Sequence, residues 1–546
     1  MAGKRSESQD QLLTNKNILI KNGNIYDGSG DAPQKADILI EDGLIKTIQY
    51  GIKLQETQSA GALIIDASGR VVTPGFVDIH RHADVACLAD TCFGETELAQ
   101  GITTAINGNC GIAPVPAPAN SEWCEELYRY IEPVIGTVKA GLPFASYGEY
   151  TAAIRSRKFP LNIGFLTAAG AVKTAVKGFD KGPFTRAEME KAQNLIEEAM
   201  NCGAHGISFG LMYRPECYSA LEELTLLART AAKHGGVLTT HIRGEGELLV
   251  RSVEEVIEVA QRAEIPLNIS HFKATGIKNW RSAIFRAIDK IEAARVKGQD
   301  VTADFYPYDG GSTTLLSLVP PSLLETSIAE LAKKLSRKDG VETLRREINK
   351  EHENWENMVL SVGWDRVIIS SPFLEKNEDC RGKSMTFIVR ERGLTDETEL
   401  LADLIASEKG STGIIALSMA QDDIETIAVL PWTCLISDSL YSGGSSPHPR
   451  LNGTFPKFLR VFVREKKLLS METAIAKMTG MPSRRMGLLN RGFLKEKAPA
   501  DILVFDSEKF TDNADYTSPL PHAEGIETII INGKIVNKNE CHGLFI

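Results

Sequence analysis

Between residues 71 and 438, short apolar runs alternate with longer stretches of helical periodicity, and this alternation constrains the fold more than any other feature of the chain. Runs at 71–80, 103–107, 162–167, 205–210, 237–241, 267–271, 301–306 and 434–438 read as strands. Helical patterns occupy 185–201, 220–234, 253–263 and 281–296 between them. Strands separated by amphipathic helices pair in parallel and bury both sheet faces. About eight such units predict an α/β fold with a closed (β/α)8 TIM-like barrel rather than an open sheet. The stretch 312–421 breaks the rhythm. It is mostly helical in pattern, charged, and too long for one barrel connection, so it is expected to contain an inserted, mostly helical subdomain.

Both chain ends follow a different grammar. Asn17-Ile18-Leu19-Ile20-Lys21 meets Asn22-Gly23, and Asn24-Ile25-Tyr26-Asp27 follows. Ala36-Asp37-Ile38-Leu39-Ile40 meets Glu41-Asp42-Gly43, and Leu44-Ile45-Lys46-Thr47-Ile48 continues. Near the other end, Ala500-Asp501-Ile502-Leu503-Val504-Phe505 precedes a run from Ile526 to Val536 that is interrupted by Asn532-Gly533. Isoleucine-rich runs punctuated by Asn-Gly or Asp-Gly are hairpin signals. Either set alone is thin for an independent core. The two ends are therefore expected to pair into one small β-sandwich domain. The expected division is 12–72 plus 488–540 for that sandwich, 73–311 and 422–487 for the barrel, and 312–421 for the region holding the insertion.

Length and composition narrow the function classes. A chain of 546 residues exceeds what one core normally supports, which agrees with several units. The net charge of −10, with both signs mixed along the chain, favours solubility and fits neither a nucleic acid nor an anionic membrane as partner. No apolar run approaches the roughly 20 residues of a spanning helix, and the polar start has no signal-peptide core. The nine cysteines are odd in number and contain no CxxC pair, so a reducing cytoplasm is expected rather than a disulfide framework. A cysteine that matters here would be a ligand or a nucleophile. Nothing in the sequence sets the oligomeric state.

The densest chemical signal is Pro74-Gly75-Phe76-Val77-Asp78-Ile79-His80-Arg81-His82. Alternate side chains of a strand share a face, so His80 and His82 can converge on one metal while Arg81 points away. His241 and His271 each close an apolar run as well. Four of the ten histidines thus fall at expected strand ends, where barrel enzymes keep their sites. Asp438 closes Cys434-Leu435-Ile436-Ser437-Asp438, where a carboxylate could bind metal weakly and shuttle a proton, or could simply cap a helix. Cys110 lies in Asn107-Gly108-Asn109-Cys110-Gly111, directly after the second run. Its thiolate could bind zinc, or the side chain could be a small buried hydrophobe.

This ordered set resembles the amidohydrolase superfamily, with His80, His82, His241, His271 and Asp438 matching its order of ligands. Further runs resemble the D-aminoacylase (N-acyl-D-amino-acid deacylase) family within it. These are Gly101-Ile102-Thr103-Thr104 leading to Gly108-Asn109-Cys110-Gly111, then Thr240-His241-Ile242-Arg243, Ser270-His271-Phe272-Lys273 and Tyr306-Pro307-Tyr308. His448-Pro449-Arg450-Leu451 with Gly453-Thr454-Phe455 completes them. The resemblance implies a barrel beside a β-sandwich built from both ends. It implies that Cys110, His241 and His271 hold a tight zinc, with His80, His82 and Asp438 at a second, weaker position. Asp438 would be the catalytic acid-base, Arg450 would pair with the substrate α-carboxylate, and Tyr306 would donate a hydrogen bond to it. Phe272-Lys273 and 438–447 would help set specificity, and the charge and position of Lys273, as a substrate-binding residue, would favour an acidic side chain.

The implied reaction is zinc-dependent hydrolysis of N-acyl-D-amino acids, with a small N-acyl amino acid or dipeptide as the partner. Rival readings are a D-dipeptidase, a cyclic amidase of hydantoinase or dihydroorotase type, a non-catalytic scaffold on the same barrel, and a hydrolase using Cys110 as nucleophile.

Overall fold

The structure is a computed structural model that describes residues 17–53, 62–89, 93–136, 143–352, 355–372, 374–441, 447–537 and 540–546. Eight parallel strands run through its centre: β1 (Phe76–Asp78), β2 (Ile102–Asn107), β3 (Asn162–Phe165), β4 (Gly206–Gly210), β5 (Val237–His241), β6 (Leu267–Ile269), β7 (Val301–Phe305) and β8 (Thr433–Leu435). Strands β1, β2 and β3 form one sheet. Strands β4 to β8 form another, which begins at Thr167–Ala168, one residue beyond β3. At the far edges Arg81 and Ser439 make a parallel bridge, and Asp438 N donates to His80 O at 2.9 Å. The exits of β1 and β8 are thereby side by side. Strands β1 to β6 are buried throughout, as expected where helices cover a parallel sheet.

Helices Arg186–Asn201, Leu221–Ala232, Leu249–Ala263 and Ala283–Val296 follow the strands as the periodicity predicts. Leu249–Ala263 buries Leu249, Val253, Val256, Ala260 and Ala263, spaced three or four apart. Thr185 starts Arg186–Asn201 by accepting from Glu188 N, while the Glu188 carboxylate accepts from Thr185 N at 2.7 Å. Among the described residues no helix is long and apolar enough to cross a membrane.

The two chain ends share one eight-stranded sheet, in which Ile502–Phe505 pairs with Val71–Pro74 and with Ile526–Ile531. Two expectations are corrected here. The Asn22-Gly23 pair does not turn a hairpin. Asn17–Ile25 is one strand paired with Gln34–Glu41, and its register slips between Ile20 and Gly23: Lys21 and Asn22 form the bulge, while Gly23 pairs with Ala36. Asn22 sits at φ 61° and its N–H donates to Asp37 Oδ1 at 2.8 Å, so the extra residue finds its partner off the ladder. Likewise 71–80 is not one strand. Val71–Pro74 belongs to the end sheet, and at Gly75 the chain crosses over: Gly75 N donates to Asp501 O at 2.8 Å and Phe76 N to Gly101 O at 2.9 Å. Residues 12–16, part of the expected sandwich, lie outside the described residues.

The region 312–421 is helical over Ile328–Leu335, Lys338–Ile348, Met385–Arg392 and Glu397–Glu408. It also holds most of a three-stranded antiparallel sheet, Gly310–Thr314, Gly413–Leu417 and Val367–Ser371, with the second in the middle. Its own apolar cluster includes Leu331, Leu344, Ile369, Leu400 and Leu404. Each of these strands is only five residues long and pairs across a large sequence separation, so local periodicity did not reveal the sheet.

Candidate metal centre

His80 and His82 follow β1, and both are buried. Arg81 between them points the other way, as strand alternation requires. Its guanidinium lies 3.1 Å from Asp78 Oδ2, 2.7 Å from Glu97 Oε1 and 2.6 Å from Tyr441 OH, with no exposed surface. Arg81 therefore neutralises two buried carboxylates while anchoring the segment that carries both histidines. Removing one partner of a buried ion network strands the others. Arg81→Ala is expected to destabilise the fold by about 3–5 kcal/mol, read as a lowered denaturant midpoint, whereas a change below about 1 kcal/mol would show that Asp78 and Glu97 are satisfied without it.

Cys110 leaves β2 through a loop with two positions, 108 and 111, that leave no room for a side chain. Gly108 is at φ 78°, and a Cβ there would sit 2.2 Å from Leu166 O; Gly111 is at φ 67°, with Glu216 Oε2 at 1.8 Å from its virtual Cβ. Asn109 Nδ2 donates to Ile106 O at 3.0 Å and Ile79 O at 3.3 Å, and Ser208 of β4 accepts from Gly111 N at 3.1 Å. The loop is thus tied to the β1 and β4 exits. Cys110 (φ 55°), His271 (φ 35°) and Asp438 (φ 50°) all hold left-handed backbone. Such positions cost roughly 1–3 kcal/mol each and persist where function over-determines the structure.

These anchors bring the expected ligands together. Cys110 Sγ lies 3.2 Å from His80 Nε2 and 3.5 Å from His271 Nε2. Asp438 Oδ1 lies 3.4 Å from His80 Nε2 and 3.5 Å from His82 Nε2. The His241 and His271 ring centroids are 4.3 Å apart. Three overlapping groups could each hold an ion: His80, Cys110 and His271; His80, His82 and Asp438; and His241, Glu245 and His271. Cys110 thus groups with His80 and His271, while His241 joins through His271 and Glu245. His271 and His80 link all three groups into one buried cluster.

The cluster fits a metal on its own atoms. Neither ring nitrogen of His241 has a hydrogen-bond partner, nor has Nδ1 of His80 or His82, although all are buried. Such atoms are costly to leave unpaired unless a partner of another kind completes them. Burial and the neighbouring His271 hold His241 well below the usual imidazole range, and burial with Lys273 does the same to His271. Both are then neutral, the form in which imidazole binds metal. Burial opposes ionisation of Asp438, but Arg450 and His80 beside it hold its carboxyl well below the usual range. A cysteine that can bind as thiolate, imidazoles and a carboxylate are donor types suited to zinc.

Arg450 Nη1 lies 2.7 Å from Asp438 Oδ2, and the guanidinium stacks 4.7 Å from the Tyr306 ring. Lys273 Nζ lies 2.6 Å from Glu245 Oε1, 2.8 Å from His271 Nδ1 and 2.9 Å from His271 O. A cavity of about 420 Å³ opens over His82, Cys110, His241, His271, Asp438 and Arg450. Glu356, from the inserted region, also lines it. Its carboxylate accepts from the backbone N–H groups of Glu245, Gly246 and Leu248 at 2.7–2.8 Å, so the insertion braces the loop after β5. Residues 442–446, within the expected specificity stretch, lie outside the described residues.

Two neighbours were missed in the sequence. Glu245 touches His271 Nδ1 at 2.9 Å but sits in a loop without periodicity. Asp304 accepts from His271 N and lies 3.7 Å from His80 Nδ1. A charged residue inside the apolar run of β7 was the available signal for it.

Parallel strands whose exits converge on buried histidines, a cysteine and an aspartate define a candidate metal-dependent hydrolase centre. The chain belongs to the amidohydrolase family, whose model matches residues 63–298 and 410–537. The unmatched stretch between those segments contains the helices of the insertion. The chain is 30% identical to a D-aminoacylase from Alcaligenes xylosoxydans xylosoxydans, over 94% of this chain and 93% of that one. It is also 30% identical to an N-acyl-D-glutamate deacylase from the same organism, over 94% of this chain and 92% of that one. Among solved structures, an N-acyl-D-glutamate deacylase from Bordetella bronchiseptica, complexed with zinc and a phosphonate mimic of the tetrahedral intermediate, matches with a TM-score of 0.80. That match has 29% identity and covers 97% of this chain and 98% of that one.

Proposed function

We propose that this chain is a zinc-dependent deacylase that hydrolyses N-acyl-D-amino acids to a carboxylate and a free D-amino acid. The observation that carries the reading is the buried cluster of Cys110, His80, His82, His241, His271 and Asp438, all of which except His80 line the same cavity as Arg450. One zinc would be held tightly by Cys110 with His241 and His271, and a second, weaker position would use His80, His82 and Asp438. Zinc there supplies Lewis acidity, which acidifies water and polarises a carbonyl. Asp438 accepts the proton of the attacking water and delivers it to the leaving nitrogen as the C–N bond breaks. Arg450 pairs with the substrate α-carboxylate through its planar donor fork, and Tyr306 donates a hydrogen bond to the same group. Lys273 lines the cavity beside them.

The architecture follows the same reading. The two parallel sheets are arcs of one (β/α)8 barrel spanning 73–311 and 422–487, joined through the Arg81–Ser439 bridge and the β3 extension. The end sheet belongs to a β-sandwich formed by 12–72 with 488–540, and 312–421 contains the insertion. The cysteine pattern supports a cytoplasmic setting.

The test is steady-state turnover of N-acetyl-D-methionine and N-acetyl-L-methionine by the zinc-loaded protein. Hydrolysis of the D-enantiomer, abolished by a chelator and restored by zinc, is expected. Preference for the L-enantiomer would overturn the reading, and activity insensitive to chelation would move the chemistry to a Cys110 nucleophile.

A further inference from the structure

The relatives named above include both a D-aminoacylase and an N-acyl-D-glutamate deacylase at equal identity, so likeness alone does not choose the substrate side chain. The cations of the cavity do. Among the described residues, Arg450, Lys273 and Lys278 line it. They differ in what their donors already touch.

Arg450 is buried, yet its Nε and Nη1 have no hydrogen-bond partner; the Nη1 contact to Asp438 is an ion pair without hydrogen-bond alignment. A guanidinium with unpaired buried donors is a seat for one oxyanion. Lys273 is the reverse case. Its ammonium has three donors, and they face Glu245 Oε1, His271 Nδ1 and His271 O, all within 2.9 Å. Its charge is matched by Glu245. Lys278 is 69% exposed at the rim and lies 4.0 Å from Glu247 and 3.7 Å from Glu351, where water and these carboxylates screen it. The rest of the wall is apolar in Ile112, Val134, Met212, Leu248, Met358 and Leu440, acidic in Glu245, Glu247, Glu351 and Glu356, or neutral and polar in residues such as Thr275, Asn279, Ser312, Thr313 and Ser361.

Resting on the deacylase reading, we infer that this enzyme selects N-acyl-D-amino acids with a single carboxylate and an uncharged, mainly apolar side chain, and rejects N-acyl-D-glutamate and N-acyl-D-aspartate. The α-carboxylate takes the one cation with open donors. A second carboxylate meets apolar wall, acidic residues or neutral hydroxyl and amide groups that carry no compensating charge, or must draw Lys273 away and leave Glu245 unpaired against His271. Both alternatives bury an uncompensated charge. The apolar wall, by contrast, gains from each methylene of an uncharged side chain.

The decisive measurement is kcat/KM of the zinc-loaded full-length protein for N-acetyl-D-methionine, N-acetyl-D-leucine, N-acetyl-D-glutamine, N-acetyl-D-glutamate and N-acetyl-D-aspartate. Methionine and leucine substrates are expected to exceed the two acidic ones by about 100-fold or more, the size of a stranded buried charge. Glutamine, which matches glutamate in shape without its charge, is expected to fall between them. Equal or greater activity on either acidic substrate overturns this inference and leaves the deacylase reading standing. Absence of turnover on all five overturns both. In Glu245→Gln, which removes the carboxylate charge that matches the Lys273 ammonium, the ratio of glutamate to methionine activity is expected to rise whatever the overall rate, and an unchanged ratio would also count against the inference.

Discussion

Asp438→Asn is expected to lower kcat on N-acetyl-D-methionine by on the order of 10²–10⁴, the usual contribution of a positioned acid-base group, while zinc content and fold persist. Asparagine keeps the shape of the side chain but cannot hold a proton at neutral pH. Asp438 is placed for transfer in both directions. One oxygen lies 3.4 Å from His80 Nε2 and 3.5 Å from His82 Nε2, and the other 2.7 Å from Arg450 Nη1. Arg450 and His80 favour the ionised carboxylate over the protonated one despite burial, so the group is ready as a base. Cys110, His80, His241 and His271 remain in the variant, which is why the metal should stay. The measurement pairs steady-state kinetics with metal analysis and a thermal midpoint. Near-normal turnover in a folded, zinc-containing variant would remove Asp438 from the chemistry.

The second large effect concerns the metal itself. Cys110→Ala is expected to weaken zinc binding by more than about 100-fold, beyond the 10- to 100-fold typical of groups that merely orient a ligand, and to abolish activity at substoichiometric zinc. Its sulfur sits between His80 and His271, at 3.2 Å and 3.5 Å from their Nε2 atoms, and is the only thiol in the three candidate ligand groups among the described residues. Alanine retains the bracing of the loop by Asn109 and Ser208, so the loss should be one of affinity rather than of fold. Zinc titration against a chromogenic chelator measures this directly. A variant that binds zinc as tightly as the parent but fails to turn over would make Cys110 a nucleophile instead.

Much of the site was legible because its parts follow short-range rules. Each histidine closes an apolar run, and the exit of a parallel strand is where such an enzyme keeps its chemistry. The alternation that sent His80 and His82 one way and Arg81 the other is a property of extended backbone alone. Helix starts such as Thr185 with Glu188 were equally local. What those rules could not convey is which exits meet. That Cys110 lies nearest His80 and His271, that Glu245 reaches His271 from a loop, and that Lys273 is matched by Glu245 all depend on contacts between residues far apart in sequence.

The same division holds for the fold. The amino-acid sequence by itself determined the α/β class, most strand and helix spans, and the kinship of the two β-rich ends, because hydrophobic period and turn chemistry act within a few residues. Only the tertiary structure decided that Asn22 sits in a bulge and Gly23 in a strand, that the chain changes sheets at Gly75, and that a three-stranded sheet lies in the insertion. Those outcomes turn on which strand supplies the hydrogen bonds, and backbone donors and acceptors are the same in every residue but proline.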